Sequence, residues 1–337
     1  CKAPIGWMKN ERKEEYRMIS KKDVVIYDAA GIPSIMVEFK KERNSDLFPG
    51  GSEQTHPAFI IDGEEVDSIY IAKYECTMIH GKPYSLPYTV PKTNITYDDA
   101  MQSCYRKGTG WHMMTAAEWG LVTLDSSRNG TLPHGNTAFG EYFEDPKEHG
   151  VDSGRFDITL TGSGPETWSH DHTVQGVYDL CGNVWEYVAG LRLLDGEIQI
   201  IENNDVAKPV DSGANSALWK PILHKGTPLR FTVGKHGLHL SADHEQKEDR
   251  QYSSCNIGKL KLDIDTPELL QALAIHSEND QVNRAGLWVD TKLERLPVRG
   301  AGWHYGACAG VAALGLNFAR SYSSCSIGFR SAYFGKL

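Results

Sequence analysis

Seven cysteines are the residues of this sequence that could most directly support chemistry, as thiolate nucleophiles or as metal ligands. They are Cys1, Cys76, Cys104, Cys181, Cys255, Cys308 and Cys325. No C-x-x-C pair is among them, so a structural zinc site is not indicated, and they are too sparse for a disulfide scaffold. Because Cys76, Cys104 and Cys181 have apolar or aromatic neighbours, we predict that these three are buried free thiols.

The triplet His170, Asp171 and His172 is a second chemical candidate. Alternate residues of a strand share a face, so the two imidazoles could bind one metal ion. The Ser, Thr and Gly residues around the triplet indicate a loop, however, and no third ligand is identifiable. We therefore favour structural or surface histidines and predict no metal and no other cofactor. The G-x-S-x-G, P-loop, H-E-x-x-H and G-x-G-x-x-G motifs of common enzyme classes are also missing.

Composition narrows the class of protein further. The 337 residues carry 35 Lys and Arg against 44 Asp and Glu, a net charge of −9, which argues against nucleic-acid binding. A hydrophobic fraction of 40% with 23% charged residues predicts a folded chain. No apolar run approaches the roughly 20 residues of a membrane-spanning helix. We predict one domain over residues 23–337, preceded by a polar tether or extension at 1–22.

Cys1 at the start of that tether is a candidate lipid anchor. Lipoprotein maturation leaves an acylated N-terminal cysteine ahead of a polar segment, and a cloning boundary is the alternative. A signal peptide in the precursor would decide between the two. Any contact with a membrane is expected through this anchor alone.

The elements that position the chemical candidates include two helices, each predicted from its caps. The first begins near Asn94 or Thr96 and ends at residues 107–108. The second begins with a capping box at residues 115–118 and ends at Asn-Gly, residues 129–130. A shorter helix, short strands and one loop-rich segment complete the prediction: helix 266–275, strands 24–27, 34–37, 58–61, 69–74 and 184–194, a hairpin into 198–201, and loop at 202–250.

Three stretches carry a resemblance when taken together and in this order. They are GWHMMTAAEW at 110–119, GVYDLCGNVWEYV at 176–188, and RGAGW at 299–303 with AR at 319–320 and GFR at 328–330. This set resembles the formylglycine-generating-enzyme (sulfatase-modifying factor) branch of the C-type lectin fold. The resemblance implies an α+β domain with two helices, small antiparallel sheets and extensive ordered loops.

Most of the large and charged residues in these stretches are expected to build the fold. We predict that Trp185, Trp303 and Phe329 fill the core. Charged side chains are expected to hold loops through buried or half-buried hydrogen bonds: Glu186, Arg299, Arg320 and Arg330.

Activity of the formylglycine-generating type needs two cysteines that bind copper and a substrate thiol. Aligned on Trp303, the family's cysteine positions fall near Tyr305 and Gly310. Cys308 is close to them but alone, and Cys325 lies in another segment. Because copper(I) requires soft thiolate ligands, we predict no enzyme activity, and a copper oxidase acting on a peptide cysteine is the alternative.

Other stretches are similar to variable proteins of diversity-generating retroelements, of the treponemal surface type. They are IYIAKY at 69–74, YSLP at 84–87, GSGP at 162–165 and GLRLLDGEIQ at 190–199. The resemblance implies that a C-terminal segment, here about 300–330, is rewritten at adenines of Asn codons. Such codons cannot become Lys, Glu, Gln, Met or Trp, and none of these five occurs between His304 and Phe329.

Ten positions in that segment would match the variable codons and form the ligand-binding residues. They are His304, Tyr305, Cys308, Gly315, Asn317, Phe318, Tyr322, Ser324, Cys325 and Ser326. A strand pair rich in Gly and Ala would also lack charge, but that does not explain the rings of Tyr305, Phe318 and Tyr322. Tyrosine and phenylalanine suit a binding surface because they offer large contact area with few rotatable bonds.

The predicted function is therefore ligand binding without catalysis, on a cell surface or outer membrane, or alternatively on a phage particle or after secretion. The partner would be an unknown protein or glycan on another cell or host surface, and the chain is expected to be a monomer. A calcium-dependent sugar-binding lectin is disfavoured, because no Glu-Pro-Asn-like loop is present.

Overall fold

A computed structural model describes residues 23–235, 237–242, 250–276 and 279–335. The predicted tether 1–22, with the candidate anchor Cys1, lies outside these ranges. Within them, no helix is both long enough and apolar enough to cross a membrane.

The described residues are mostly β-structure with few helices. The helices are α1 (Asn44–Leu47), α2 (Tyr97–Tyr105), α3 (Ala116–Asn129) and α4 (Glu268–Ala272). The first strands are β1 (Asp23–Tyr27), β2 (Pro33–Lys40), β3 (Ile60–Ile61), β4 (Glu64–Glu65), β5 (Ser68–Ala72), β6 (Cys76–Ile79), β7 (Lys82–Ser85), β8 (Trp111–Met113), β9 (Asp152–Arg155), β10 (Ile158–Thr159), β11 (Trp185–Tyr187) and β12 (Leu191–Leu194). The others are β13 (Glu197–Ile201), β14 (Trp219–Pro221), β15 (Leu223–His224), β16 (Thr227–Pro228), β17 (Arg230–Gly234), β18 (Gly237–Ser241), β19 (Tyr252–Asn256), β20 (Lys261–Leu262), β21 (Gly286–Asp290), β22 (Glu294–Arg299), β23 (Leu314–Phe318), β24 (Ile327–Phe329) and β25 (Ser331–Tyr333).

Both cap-based helix predictions are confirmed. The Thr96 side chain accepts a hydrogen bond from the Asp99 N–H and begins α2. At α3, Thr115 and Glu118 form the capping box, and Gly130 ends the helix in the left-handed conformation with φ of 68°.

Two large sheets carry most of the strands. The five-stranded sheet has the order β1-β2-β5-β25-β8, so a strand from the C-terminal end lies between strands from the first third of the chain. The twelve-stranded sheet follows the order β19-β21-β23-β22-β12-β13-β17-β18-β20, with β11, β14 and β24 attached at its side. One hydrophobic cluster extends from Val37 to Ala332 and includes residues of both sheets and of α2 and α3.

The expectation of small antiparallel sheets holds for the five-stranded sheet and for the two-stranded sheets, but not for the largest sheet. The larger sheet has twelve strands, and three of its pairs, β11 with β24, β21 with β23, and β18 with β20, are parallel. Parallel pairs join segments that are distant in sequence, so the short-range turn signals used for the prediction do not show them.

Two local predictions also need correction. The loop expected over 202–250 contains the hairpin of β17 and β18, whose Phe231, Val233, Leu238 and Leu240 are buried. The strand expected at 58–61 is half right: Ile60–Ile61 form β3, but residues 58–59 belong to the 3-10 helix Pro57–Phe59, because proline at the first position favours a helical turn.

Candidate ligand-binding face

The start of the candidate variable segment, residues 300–303, is hydrogen-bonded to the turn at residues 182–183, which precedes β11. The Gly182 N–H donates to the Gly300 carbonyl (2.9 Å), and the Trp303 N–H donates to the Asn183 carbonyl (3.0 Å). The Asn183 side chain is fixed in turn, since its amide donates to Glu75 (2.6 Å). The sequence stretch at 176–188 therefore fixes the backbone from which the candidate binding residues project.

Buried charged side chains fasten the same region, as predicted. Arg330 and Glu186 are both fully buried and form a two-fold ion pair, in which Arg330 Nε lies 2.7 Å from Glu186 Oε2. Arg299 is buried as well and donates to the carbonyls of Ala274 and Ala312 (3.1 and 3.0 Å). Burial lowers the pKa of Arg299 to about 9.

Arg320 fastens the far end of β23, where it is half-buried. Its guanidinium donates to Glu294 (2.9 and 2.8 Å) and to Asp98 of α2 (2.8 Å). Burial alone would raise the pKa of Glu294, but the hydrogen bonds from Arg320 and Arg192 outweigh it and lower that pKa. The predicted core residues Trp185, Trp303 and Phe329 are buried too.

Nine of the ten candidate positions are at least partly exposed. Three of them, His304, Tyr322 and Cys308, are fully in the exposed class, and Tyr322 is 42% exposed. The half-buried positions are Tyr305, Asn317, Phe318, Ser324, Cys325 and Ser326.

Gly315 is the exception, because it is buried in β23 between β21 and β22. A Cβ atom added there would lie 2.7 Å from Val298 Cγ2. A side chain at this position would therefore strain the sheet, and its assignment as a ligand-contacting residue needs correction.

An aromatic band crosses the outer side of the sheet at β19, β21 and β23. We define it as Tyr252, Trp288, Tyr305, Phe318 and Tyr322. Trp288 pairs in register with Ser254 on one side and Gly315 on the other, so these three residues share one face. The Tyr305 ring packs edge-on against Trp288 at 5.3 Å between centroids, and Phe318 stacks on Tyr322 at 4.7 Å.

Two further observations concern Phe318 and Tyr252, which belong to different strands of this aromatic band. The position of a Cβ on Gly315 is 3.7 Å from the Phe318 ring, which places that ring over the glycine beside Trp288. Burial, and next the Tyr305 phenol, raise the pKa of Tyr252.

The remaining candidates adjoin the aromatic band. The His304 ring lies 4.7 Å from Tyr305 and 5.4 Å from Trp303. Cys325 packs against the cluster that contains Trp303, and Ser324 and Ser326 share a hydrogen bond of 3.0 Å. Contacts through Trp303 and Cys325 therefore link the turn after β22 to the loop before β24, and Phe318 and Tyr322 form a stacked pair at the end of β23.

Sequence reasoning missed Trp288 and Tyr252. Trp288 alternates with the buried Leu287 and Val289 along β21, a period of two that would have placed its indole on the opposite, outer face. Tyr252 begins the heptapeptide YSSCNIG, which the sequence repeats as YSSCSIG from Tyr322. Both tyrosines are large and exposed, 46% and 42%.

The histidine and cysteine candidates among the described residues can be located individually. Within the described ranges, no group of three or more His, Cys, Asp or Glu residues could hold a metal ion. His170 is buried and accepts from the Val177 N–H through Nδ1, and His172 Nε2 hydrogen-bonds to the Leu132 carbonyl. Cys76, Cys104 and Cys181 are buried free thiols, as predicted.

A separate cleft of about 860 Å³ lies at the end of β2. Two ion pairs lie along it, Arg43 with Glu53 (2.7 Å) and Lys41 with Glu65 (3.1 Å). None of the ten candidate positions lines it.

Comparison with known proteins gives structural neighbours only. No family model and no curated protein matches the chain. The fold is similar to that of PvdO from Pseudomonas aeruginosa, at 15% identity and a TM-score of 0.39, covering 93% of this chain and 99% of that one. It is similar to Treponema denticola variable protein 1, at 13% identity and a TM-score of 0.39, covering 92% and 98%. It is also similar to the Major Tropism Determinant U1 variant, at 11% identity and a TM-score of 0.34, covering 94% and 73%.

Proposed function

We propose that this protein binds a ligand without catalysis, through a hypervariable C-terminal face that a retroelement diversifies. The scaffold would be a C-type lectin fold of the formylglycine-generating-enzyme branch, and the chain would act as a monomer. Cys1 would carry the lipid anchor that displays it on a cell surface or outer membrane. The ligand would be a protein or glycan on another cell or host surface.

The observation that carries this proposal is the exposure of nine of the ten candidate positions, three of them fully and six partly. The backbone around these positions is held by buried partners such as Arg299 and Asn183. Substitution of exposed side chains usually changes stability by less than about 0.5 kcal/mol. Such a surface can therefore change its contacts while the scaffold stays folded.

The aromatic band supports a binding role for this face. Tyrosine and tryptophan dominate the energetics of many protein interfaces, because they bury much area for few frozen rotors. Here Tyr252 and Tyr322 are exposed, and Trp288 and Phe318 are half-buried beside them.

A library experiment tests the proposal without a known ligand. We expect that most members with the nine fully or partly exposed positions randomised to pyrimidine-ending codons remain soluble, with melting temperatures within about 10 °C of the parent. A control library randomises Gly315, Leu314, Leu316 and Ile327, which are buried, and should be mostly unfolded. Equal loss of folding in both libraries would contradict the proposal.

The neighbouring DNA provides an independent test of the diversification mechanism. A near-copy of the codons for residues 300–330, beside a reverse-transcriptase gene, is the expected finding. Its absence from the complete genome would exclude a retroelement as the source of variation.

A further inference from the structure

Tyr305 fills a slot between two tryptophan side chains. Its ring centroid is 5.2 Å from that of Trp185 and 5.3 Å from that of Trp288, and the two indoles are 5.3 Å from each other. All three interplanar angles lie between 84° and 87°. Each ring therefore presents an edge to a face of its neighbours, which is a favourable geometry for aromatic pairs.

Glycine backbone forms part of the base of this slot. A Cβ on Gly302 would lie 3.6 Å from the Tyr305 ring and 3.7 Å from Trp185 Cδ1, and one on Gly286 would lie 2.2 Å from Trp288 Cη2. The rings are thus packed against residues without side chains. Replacing Tyr305 by a small residue would open a space whose walls are two indoles.

Trp185 also has an unused hydrogen-bonding group. The side chain is 2% exposed, and its Nε1 is buried without a hydrogen-bond partner. A buried donor without an acceptor is costly, so a ligand phenol whose oxygen reaches this indole N–H would gain a hydrogen bond that the Tyr305 hydroxyl does not make.

From these contacts we propose that the slot is a binding site for a phenol ring, contributed by a tyrosine of a partner protein, with Tyr305 as its displaceable cover. The incoming ring would replace the Tyr305 ring edge-on to Trp185 and Trp288. This inference rests on the proposed binding function and specifies the chemistry at the centre of the face. Variation at position 305 would then switch the face between a closed and an open slot.

The experiment uses p-cresol, which has the atoms of a tyrosine side chain, as the probe. Isothermal titration with p-cresol and thermal melting are measured for the parent protein and for Tyr305→Ala. Cavities left by removing a large side chain can bind a small aromatic molecule that fits them. We expect saturable binding of one p-cresol by Tyr305→Ala, with a higher melting temperature when it is bound, and binding at least about tenfold weaker to the parent.

Three controls make the outcome specific. Tyr305→Leu keeps the slot filled and should not bind p-cresol, and Tyr27→Ala removes a tyrosine that is 63% exposed on β1 and should open no slot. In the Tyr305→Ala background, Trp288→Ala removes one wall and should weaken binding by at least about fivefold. The thermal melts without p-cresol show whether each variant is folded.

The inference is overturned if folded Tyr305→Ala shows no saturable binding, or if Tyr27→Ala or Tyr305→Leu binds equally well. It is also overturned if Trp288→Ala has no effect. Failure of the proposed function is separate, because the library and the genomic test do not involve p-cresol. If Tyr305→Ala binds p-cresol saturably but the genome lacks the template copy, the phenol-binding slot is retained and diversification by a retroelement is rejected.

Discussion

At the scale of single residues, buried charge distinguishes this scaffold from its surface. Arg330 and Glu186 are buried together, and Arg330 also donates to the carbonyls of Ala72 and Tyr178 (3.1 Å each). These bonds join residue 330, between β24 and β25, to β5, to β11 and to the turn at 176–182. Their role could be predicted from sequence, because charged residues beside core aromatics must be paired. Their partners on β5 could not, since the contact spans 258 residues.

Removing one partner of this ion pair should be costly. We expect Glu186→Gln to lower the free energy of unfolding by about 3–5 kcal/mol, because buried Arg330 would lose the carboxylate with which it forms its two-fold ion pair. Urea unfolding checks this value. Glu53→Gln is the matched control, since its pair with Arg43 is exposed (76% and 59%) and should contribute about 0–1 kcal/mol. A similar loss in both variants would show that the buried pair has no special role.

At the scale of secondary structure, local sequence signals predicted the two longer helices, α2 and α3. The order of the strands depends instead on pairing between segments that are distant in sequence. The caps at Thr96, Thr115 and Gly130 each depend on a few adjacent residues, and the structure confirms them. The order of the strands depends on which segments bury one another, as when β21 pairs in parallel with β23 across the turn that carries Tyr305. The exposure of the other nine candidate positions could be predicted from sequence. The burial of Gly315 could not, because it follows from the pairing of β23 with β21 and β22.

The left-handed cap of α3 gives a testable case of a local rule. Gly130 has φ of 68°, and an added Cβ would meet no atom within 4 Å. We therefore expect Gly130→Ala to cost about 1 kcal/mol through backbone strain alone. Gly130→Asn should cost less, because asparagine tolerates this conformation better. Equal unfolding free energies for the two variants in urea would argue against this explanation.

At the scale of the whole molecule, three buried carboxyl groups surround one guanidinium. Glu75, Asp179 and Glu186 are fully buried near Arg330, and burial raises the pKa of each of them. For Asp179 the pKa rises to about 6, although the Gly162 N–H and Arg330 oppose the shift. The segments that carry these residues are also those that hold the turn before the ligand-binding face, so protonation here affects the stability of the scaffold as a unit.

The sign of the resulting pH dependence follows from linkage. A carboxyl group whose pKa is raised in the folded state binds its proton more tightly there than in the unfolded chain. Its contribution to stability is therefore largest at low pH and is lost as the pH rises from about 4 to the folded pKa of about 6. Asp179→Asn removes this titration, and asparagine also suits the local φ of 63°.

We expect the parent to lose about 1–3 kcal/mol relative to Asp179→Asn between pH 4 and pH 7, measured by urea unfolding at half-unit steps. Asp62→Asn is the control, since Asp62 has a φ of 59° as well but is exposed and bonded to Lys208 (2.6 Å). The hydrogen bond from Lys208 lowers the pKa of Asp62, so its contribution should run in the opposite direction and disappear as the pH falls. A flat difference curve for Asp179→Asn would mean that this carboxyl group titrates alike in the folded and unfolded chains. Asp179 would then stabilise the scaffold equally at every pH in the range, because its proton would not be linked to folding.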